Sequence, residues 1–252
     1  MPGPAGILLA LIVSAQSPLE LGKAAMDAHD PTAAIAHFEK VDSQEGRAWL
    51  AVALMMESRS PSDQYVERAF EAAARSRSEK VEWSRAELAA ALQPGEMVIA
   101  TLIGEKHAYA WAFDRDAMIG YPLPPPREIA TAVERINAYG SQHDSAGMAR
   151  IAEEFVPSLL GPVADRGRSL TRLIFVMDGP LRQLPINQVF VGDLDRVRIS
   201  LAGDQSLLHE IQRQPSLLER PWSDWRLISA VLTGIAIALI SLLKKHRSRA
   251  PS

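Results

Sequence analysis

Apolar positions recur at helical spacing from Gln16 to Leu92, and after Gln93-Pro94-Gly95 they switch to strand-like alternation. At both ends of the chain they run unbroken. In the first stretch, alanine-rich segments are separated by loops at Asp30-Pro31 and Ser60-Pro61. Asp30-Pro31-Thr32 supplies a turn and a helix follows from Ala33. A second helical pair is predicted over 46–57 and 63–75, with Trp49, Leu50, Val52 and Ala53 against Ala69, Phe70 and Ala73. A further helix is predicted over 80–92, with Trp83 inside it.

Beyond Gly95 the β-branched and aromatic runs 96–104 and 106–113 read as a hairpin closed by Gly104-Glu105-Lys106. Alternation puts Tyr109, Trp111 and Phe113 on one face. A third strand is expected over 117–121, after the polar turn Asp114-Arg115-Asp116. Pro122, Pro124, Pro125 and Pro126 then forbid a continuing central strand. Helices are predicted over 127–139 and 145–160, the second with Met148, Ile151, Ala152, Phe155 and Leu159 at spacings of 3 and 4. The short apolar run Leu173-Ile174-Phe175-Val176 suits a strand buried on both faces of a parallel sheet. Asp178-Gly179 turns the chain at its end. Edge structure is expected in 188–191 and 196–201, and a short helix in 206–212.

The ends differ in kind. Gly6 to Ala15 is uncharged and fits the apolar core of an export signal, with Val13-Ser14-Ala15 as a cleavage site. No Lys or Arg precedes it, which leaves a buried N-terminal helix or an uncleaved anchor as the competing reading. Residues 227–243 (LISAVLTGIAIALISLL) carry no charge, about 25 Å of helix, near the lower limit for a membrane span. Trp222 and Trp225 precede this segment, and Lys244-Lys245-His246-Arg247-Ser248-Arg249 follows it. The basic tail predicts a cytoplasmic C-terminus and an exported body. Ala230, Gly234 and Ala238 recur every four residues, a spacing that would let two such helices dimerise in the bilayer.

Composition narrows the chemistry. The 252 residues contain no cysteine, which excludes a disulfide scaffold and a cysteine nucleophile. A net charge of −3 gives no electrostatic footprint for nucleic acid. No phosphate-binding glycine loop, GxSxG elbow or HExxH helix occurs. His107 and His143 read as surface histidines, and neither has metal-ligand spacing with a partner. Asp178 falls at the end of a parallel strand, where α/β folds often place function; a turn that caps the next segment explains it better. The Tyr109, Trp111 and Phe113 stripe is read as sheet core rather than as a ligand platform. No catalytic, cofactor or metal-binding residue is assigned, and no cofactor is expected.

Two resemblances organise these pieces. Leu21-Gly22, Ala34 and Phe38 stand at the relative positions of the tetratricopeptide pattern, in which Gly and Ala allow close helix packing and Phe fills the groove. Downstream, six phrases appear in the order typical of the CHAT domain, a caspase-like module found behind such repeats. They are Leu92-Gln93-Pro94-Gly95-Glu96, Ala108-Tyr109-Ala110-Trp111, Leu159-Leu160-Gly161-Pro162, Leu173 to Val176, Asp178-Gly179, and Leu181 with Leu184-Pro185-Ile186. Ile199-Ser200 and Asp204 to Leu208 resemble the next family segment more faintly. The family's catalytic histidine and cysteine lie in a later segment, so the resemblance implies a first half without the catalytic pair.

The expected fold is α+β / α/β: N-terminal α-helical TPR-like hairpins, a partial caspase-like α/β unit with a β-hairpin and a short parallel strand, then one transmembrane helix. Its parts are a signal-like segment 1–15, helices over 16–92, the CHAT-like unit 93–212, a linker 213–226, the span 227–243 and a basic tail 244–252. The expected function is that of a non-catalytic, membrane-anchored scaffold, adaptor or regulator with a protein partner and the lipid bilayer as its contacts. One alternative is a subunit of a split caspase-like protease whose other chain brings His and Cys; a degenerate remnant is another. An unfinished sheet leaves an open edge, to be covered by a partner, a second copy or the 187–212 segment.

Overall fold

The computed structural model describes residues 17–189 and 197–213. Within them, most helices begin where a short polar side chain can take up an orphan amide. Ser17 caps α1 (Pro18–Asp27), Asp30 caps α2 (Pro31–Phe38) and Ser43 caps α3 (Gln44–Glu57). Asp63 caps α4 (Gln64–Arg77) by accepting from the amides of Tyr65 and Val66. Ser84 and Glu87 form a reciprocal capping box at α5 (Arg85–Ala91). That box shortens the helix predicted over 80–92 and leaves Trp83 ahead of it. The Trp83 ring stacks on Phe70 at 5.4 Å.

The strands follow. β1 (Glu96–Ile103), β2 (Ala108–Phe113) and β3 (Met118–Pro122) are an antiparallel meander. Two helices come next, α6 (Pro126–Ser141) and α7 (Ser145–Leu160). Then β4 (Arg172–Val176) pairs parallel to β1, and β5 (Arg198–Leu201) pairs parallel to β4. The sheet order is β3-β2-β1-β4-β5. Short helices α8 (Ile186–Val189) and α9 (Leu207–Gln212) flank the last strand. Gln188 and Val189 are thus helical rather than edge strand. The 187–212 segment does contribute β5, which covers the outer side of β4.

Period-2 alternation divides the sheet between two cores. Val98, Ala100, Leu102, Tyr109, Trp111, Phe113, Ile174 and Val176 pack with α1 to α5 and α9. Met97, Ile99, Ala108, Ala110, Ala112, Leu173 and Phe175 pack with α6, α7 and α8. Every residue of β2 and β4 is buried, which explains why 108–113 and 173–176 are apolar runs rather than alternations. The aromatic stripe is core: the Phe70 ring lies 6.4 Å from Trp111 and 5.1 Å from Phe113.

Two glycines are set by close approach. A Cβ on Gly22 would fall 2.3 Å from the Phe38 ring, so α1 and α2 pack at a distance that only Gly permits. Gly161 ends α7 at φ 53°, with the ring of Tyr121 where a side chain would stand. The Tyr121 hydroxyl donates to Leu159 O at 2.9 Å, and burial raises its pKa.

The expectation of a membrane-spanning helix is corrected. Among the described residues no helix is long and apolar enough to cross a membrane. The longest, α6 and α7, have 16 residues each, roughly 24 Å, and both carry charged side chains on an exposed face. The fold described is therefore α+β without a transmembrane helix, and the single-pass membrane location drawn from the sequence does not stand. Residues 227–243, Ala230, Gly234 and Ala238 among them, lie outside the described residues, as do 1–15 and the tail 244–252.

The Gly22 contact gives a direct test. Gly22→Val should lower unfolding stability by about 1–3 kcal/mol through overpacking against Phe38, read as a shifted urea midpoint at unchanged slope.

Candidate functional site

In a sheet of this order, the carboxyl ends of the parallel strands β1, β4 and β5 are where ligands are usually held. The crevice between β1 and β4 is filled by protein. Asp178, just past β4, accepts the amide of Ile103 on its carboxylate at 3.0 Å and donates its own amide to Thr101 Oγ1 at 3.0 Å. The Thr101 hydroxyl in turn donates to Val176 O at 3.4 Å. Asp178 begins a 3-10 turn, Gly179–Gln183, yet its side chain makes no capping bond there. The carboxylate staples the two strands instead, a role the turn reading of Asp178-Gly179 misses.

One strand further along, a cleft of about 470 Å³ opens between the ends of β4 and β5, lined in part by Ser78, Met177, Arg182, Leu201 and Gln205. Its wall is a buried ion pair. Arg77 at the end of α4 donates to both carboxylate oxygens of Asp204, at 2.8 and 2.7 Å. Their side chains are only 3% and 6% exposed, so neither charge is compensated by water. Arg77 also donates to Thr101 O at 2.6 Å, and Trp83 Nε1 donates to Asp204 O at 2.6 Å. Gln205 Nε2 donates to Ser78 Oγ at 3.0 Å. Together these bonds tie the helical layer to the chain leaving β5.

The opposite end of the same strands carries a second ionic cluster. Arg172 on β4 is 3.5 Å from Glu96 on β1 and 2.6 Å from Glu210 on α9. It also donates to the carbonyls of Ile211 and Glu210, at 3.2 and 2.7 Å. Arg198 at the start of β5 approaches Glu96 at 3.8 Å. Strand β5 is therefore gripped at both ends.

What those grips hold in place is an edge. Arg198 N–H donates to Thr171 O at 3.0 Å and Ala202 N–H donates to Phe175 O at 2.9 Å. In a parallel ladder the direction alternates by residue, so the amides and carbonyls of Ile199 and Leu201 face away from β4. Among the described residues no strand pairs with that side. Leu201 is 54% exposed and is the single exposed large hydrophobic of the described residues. Beside it runs a groove of about 340 Å³ lined by Leu184, Pro185, Ile186, Gln188, Ile199, Ser200 and Leu201. The buried Ser200 hydroxyl has no hydrogen-bond partner among the described residues.

The other edge is treated differently. The amide of Gly120 on β3 points away from β2 and donates to Pro61 O at 2.7 Å, and the strand ends at Pro122. That edge is blocked by a loop and a proline.

The described histidines lie apart from one another. His29 and His143 occupy left-handed turns at φ 60° and 58°, and the His107 ring stacks near Tyr109 at 6.5 Å. No cluster of three or more His, Asp or Glu suited to a metal occurs among the described residues. Arg85, which sequence reading passed over, lies 5.0 Å above the Phe113 ring and donates to the carbonyls of Asp114 and Ala117. Desolvation lowers its pKa, against the opposing pull of Glu67 and Asp114.

No family model, curated protein or solved structure matches this chain.

The ion pair behind the cleft has a measurable signature. Arg77→Met leaves the Asp204 carboxylate buried without its partner and should cost about 3–5 kcal/mol. The double variant Arg77→Met/Asp204→Leu should recover a substantial part of that loss, measured by urea unfolding of all three proteins.

Proposed function

We propose that this protein is a non-catalytic interaction module, a scaffold or adaptor, that takes an extended polypeptide segment at the outer side of β5. The observation that carries the reading is the backbone of Ile199 and Leu201, unpaired among the described residues, beside an apolar groove. A strand added there would gain main-chain hydrogen bonds from the edge. Specificity would come from apolar side chains at alternate positions seated along Leu184, Ile186 and Leu201. The blocked β3 edge supports the reading by contrast, since the sheet leaves one side accessible and closes the other.

Chemistry of its own has little support. The chain has no cysteine, so a thiolate nucleophile of the kind used by caspase-like enzymes is missing. The resemblance of the six phrases between Leu92 and Ile186 to the CHAT domain remains part of the proposal: a caspase-like sheet put to use for recognition. The staple made by Asp178 favours the same view, because it occupies the crevice in which a parallel sheet would otherwise hold a small ligand.

The test is selection of peptides from a displayed random library on the full chain, with Leu201→Pro as the discriminating variant. Proline at 201 removes an outward-facing amide and no bond to β4, so the fold should persist, checked by circular dichroism. Expected are peptides with apolar residues at every second position whose affinity falls at least about tenfold on the variant. Recovery of no binders, or of binders indifferent to Leu201→Pro, would overturn the proposal.

A further inference from the structure

Resting on that reading of the β5 edge, we infer that its occupant is a second copy of this chain, paired antiparallel through β5 about a two-fold axis at Ser200. The geometry fixes the register. Within β5 only Ile199 and Leu201 direct both amide and carbonyl outward, so an antiparallel neighbour must place its own outward residues opposite them. With the axis at Ser200, Ile199 of one copy faces Leu201 of the other, and each such pair exchanges two N–H···O bonds.

Three observations favour this register and this occupant. First, Ile199 and Leu201 pair with Leu173 and Phe175 of β4, which belong to the core beneath α6 and α7, so both side chains lie on the groove's face of the sheet. Leu201 of the second copy then packs beside Ile199 over the groove walls Leu184 and Ile186, and the contact is made twice. The exposed apolar residue and the groove that receives it lie on the same surface, as an isologous contact requires.

Second, charge is compatible. The register sets Arg198 across from Ala202 of the second copy, and Val197 across from Gly203, so no like charges meet. Moving the axis to Arg198 would oppose two guanidinium groups.

Third, Ser200 falls on the axis. Its buried hydroxyl lacks a hydrogen-bond partner among the described residues. Directly opposed residues at a non-hydrogen-bonded site have Cα atoms about 4.5 Å apart, within reach of a serine–serine hydrogen bond after a χ1 rotation. A short strand and two grooves make a small interface, so the dimer should be weak and concentration-dependent.

The natural absence of cysteine makes the test clean, because Ser200→Cys carries a single thiol. The full chain is examined by sedimentation from micromolar to millimolar concentration. Disulfide formation under a mild oxidant is then compared for Ser200→Cys and for the control Ser141→Cys, an exposed position at the end of α6 that is not on the β5 axis. Expected are a reversible monomer–dimer equilibrium, at least about tenfold faster crosslinking at position 200, and loss of both when Leu201→Pro is added. A monomer at every concentration overturns the inference, as does a dimer that crosslinks no faster at 200 than at 141 or survives Leu201→Pro. If the chain is monomeric but still binds selected peptides in a manner sensitive to Leu201→Pro, the second copy is wrong and the edge reading stands. Loss of that sensitivity as well removes both.

Discussion

The sheet is buried on both faces, and that leaves its edges as the places where its backbone can meet another chain. β2 and β4 bury every residue between two helical layers, one formed by α1 to α5 with α9 and the other by α6 to α8. Nothing can approach the central strands from above or below. Whether a sheet of this kind is closed or open is decided at β3 and β5, and the chain decides the two cases oppositely. At β3 the outward amide of Gly120 is taken by Pro61 and the strand stops at Pro122. At β5 no strand among the described residues takes the outward groups of Ile199 and Leu201.

An exposed edge is normally an aggregation hazard, so keeping β5 short and rigidly held has a physical purpose. Four residues offer little template for uncontrolled pairing. The ionic contacts at each end, Arg77 of α4 with Asp204 and Arg198 with Glu96, the latter backed by Arg172 with Glu96 and Glu210, tie the strand to the helical layer of α1 to α5 with α9 and to β1. Such buried pairs add little net stability against apolar replacements, but each becomes costly when half of it is removed. Their effect here is positional: they penalise any displacement of β5 that would separate the partners. Position matters for an edge, because a one-residue slip would turn Leu201 to the opposite face of the sheet.

Much of this architecture is legible in the sequence because local signals and burial agree. Helix 145–160 follows from the spacing of Met148, Ile151, Ala152, Phe155 and Leu159, with Asp144 as cap. The parallel strand at Leu173 to Val176 follows from its unbroken apolar run. Other features depend on contacts that no local pattern encodes. Trp83 lies outside its predicted helix because the Ser84–Glu87 box starts that helix later, and because its indole N–H donates to the Asp204 carbonyl, 121 residues away in sequence. Asp178 looks like a turn residue by composition, and only the pairing of β1 with β4 shows the carboxylate completing Ile103. The edge itself is invisible in Arg198-Ile199-Ser200-Leu201, since openness is a property of the whole sheet order. The membrane span read from residues 227–243 illustrates the opposite limit: hydropathy alone predicts it, and the described helices, capped and amphipathic, supply no such element.

The most direct measurement is residue-resolved amide exchange along β5 across a dilution series. Ser200 and Ala202 should be protected at every concentration, because their amides face β4. Ile199 and Leu201 should exchange rapidly when the protein is dilute and gain protection as it is concentrated. Protection of Ile199 and Leu201 that is already complete in dilute monomer would show the edge to be covered within the chain, and would contradict its role as a docking surface.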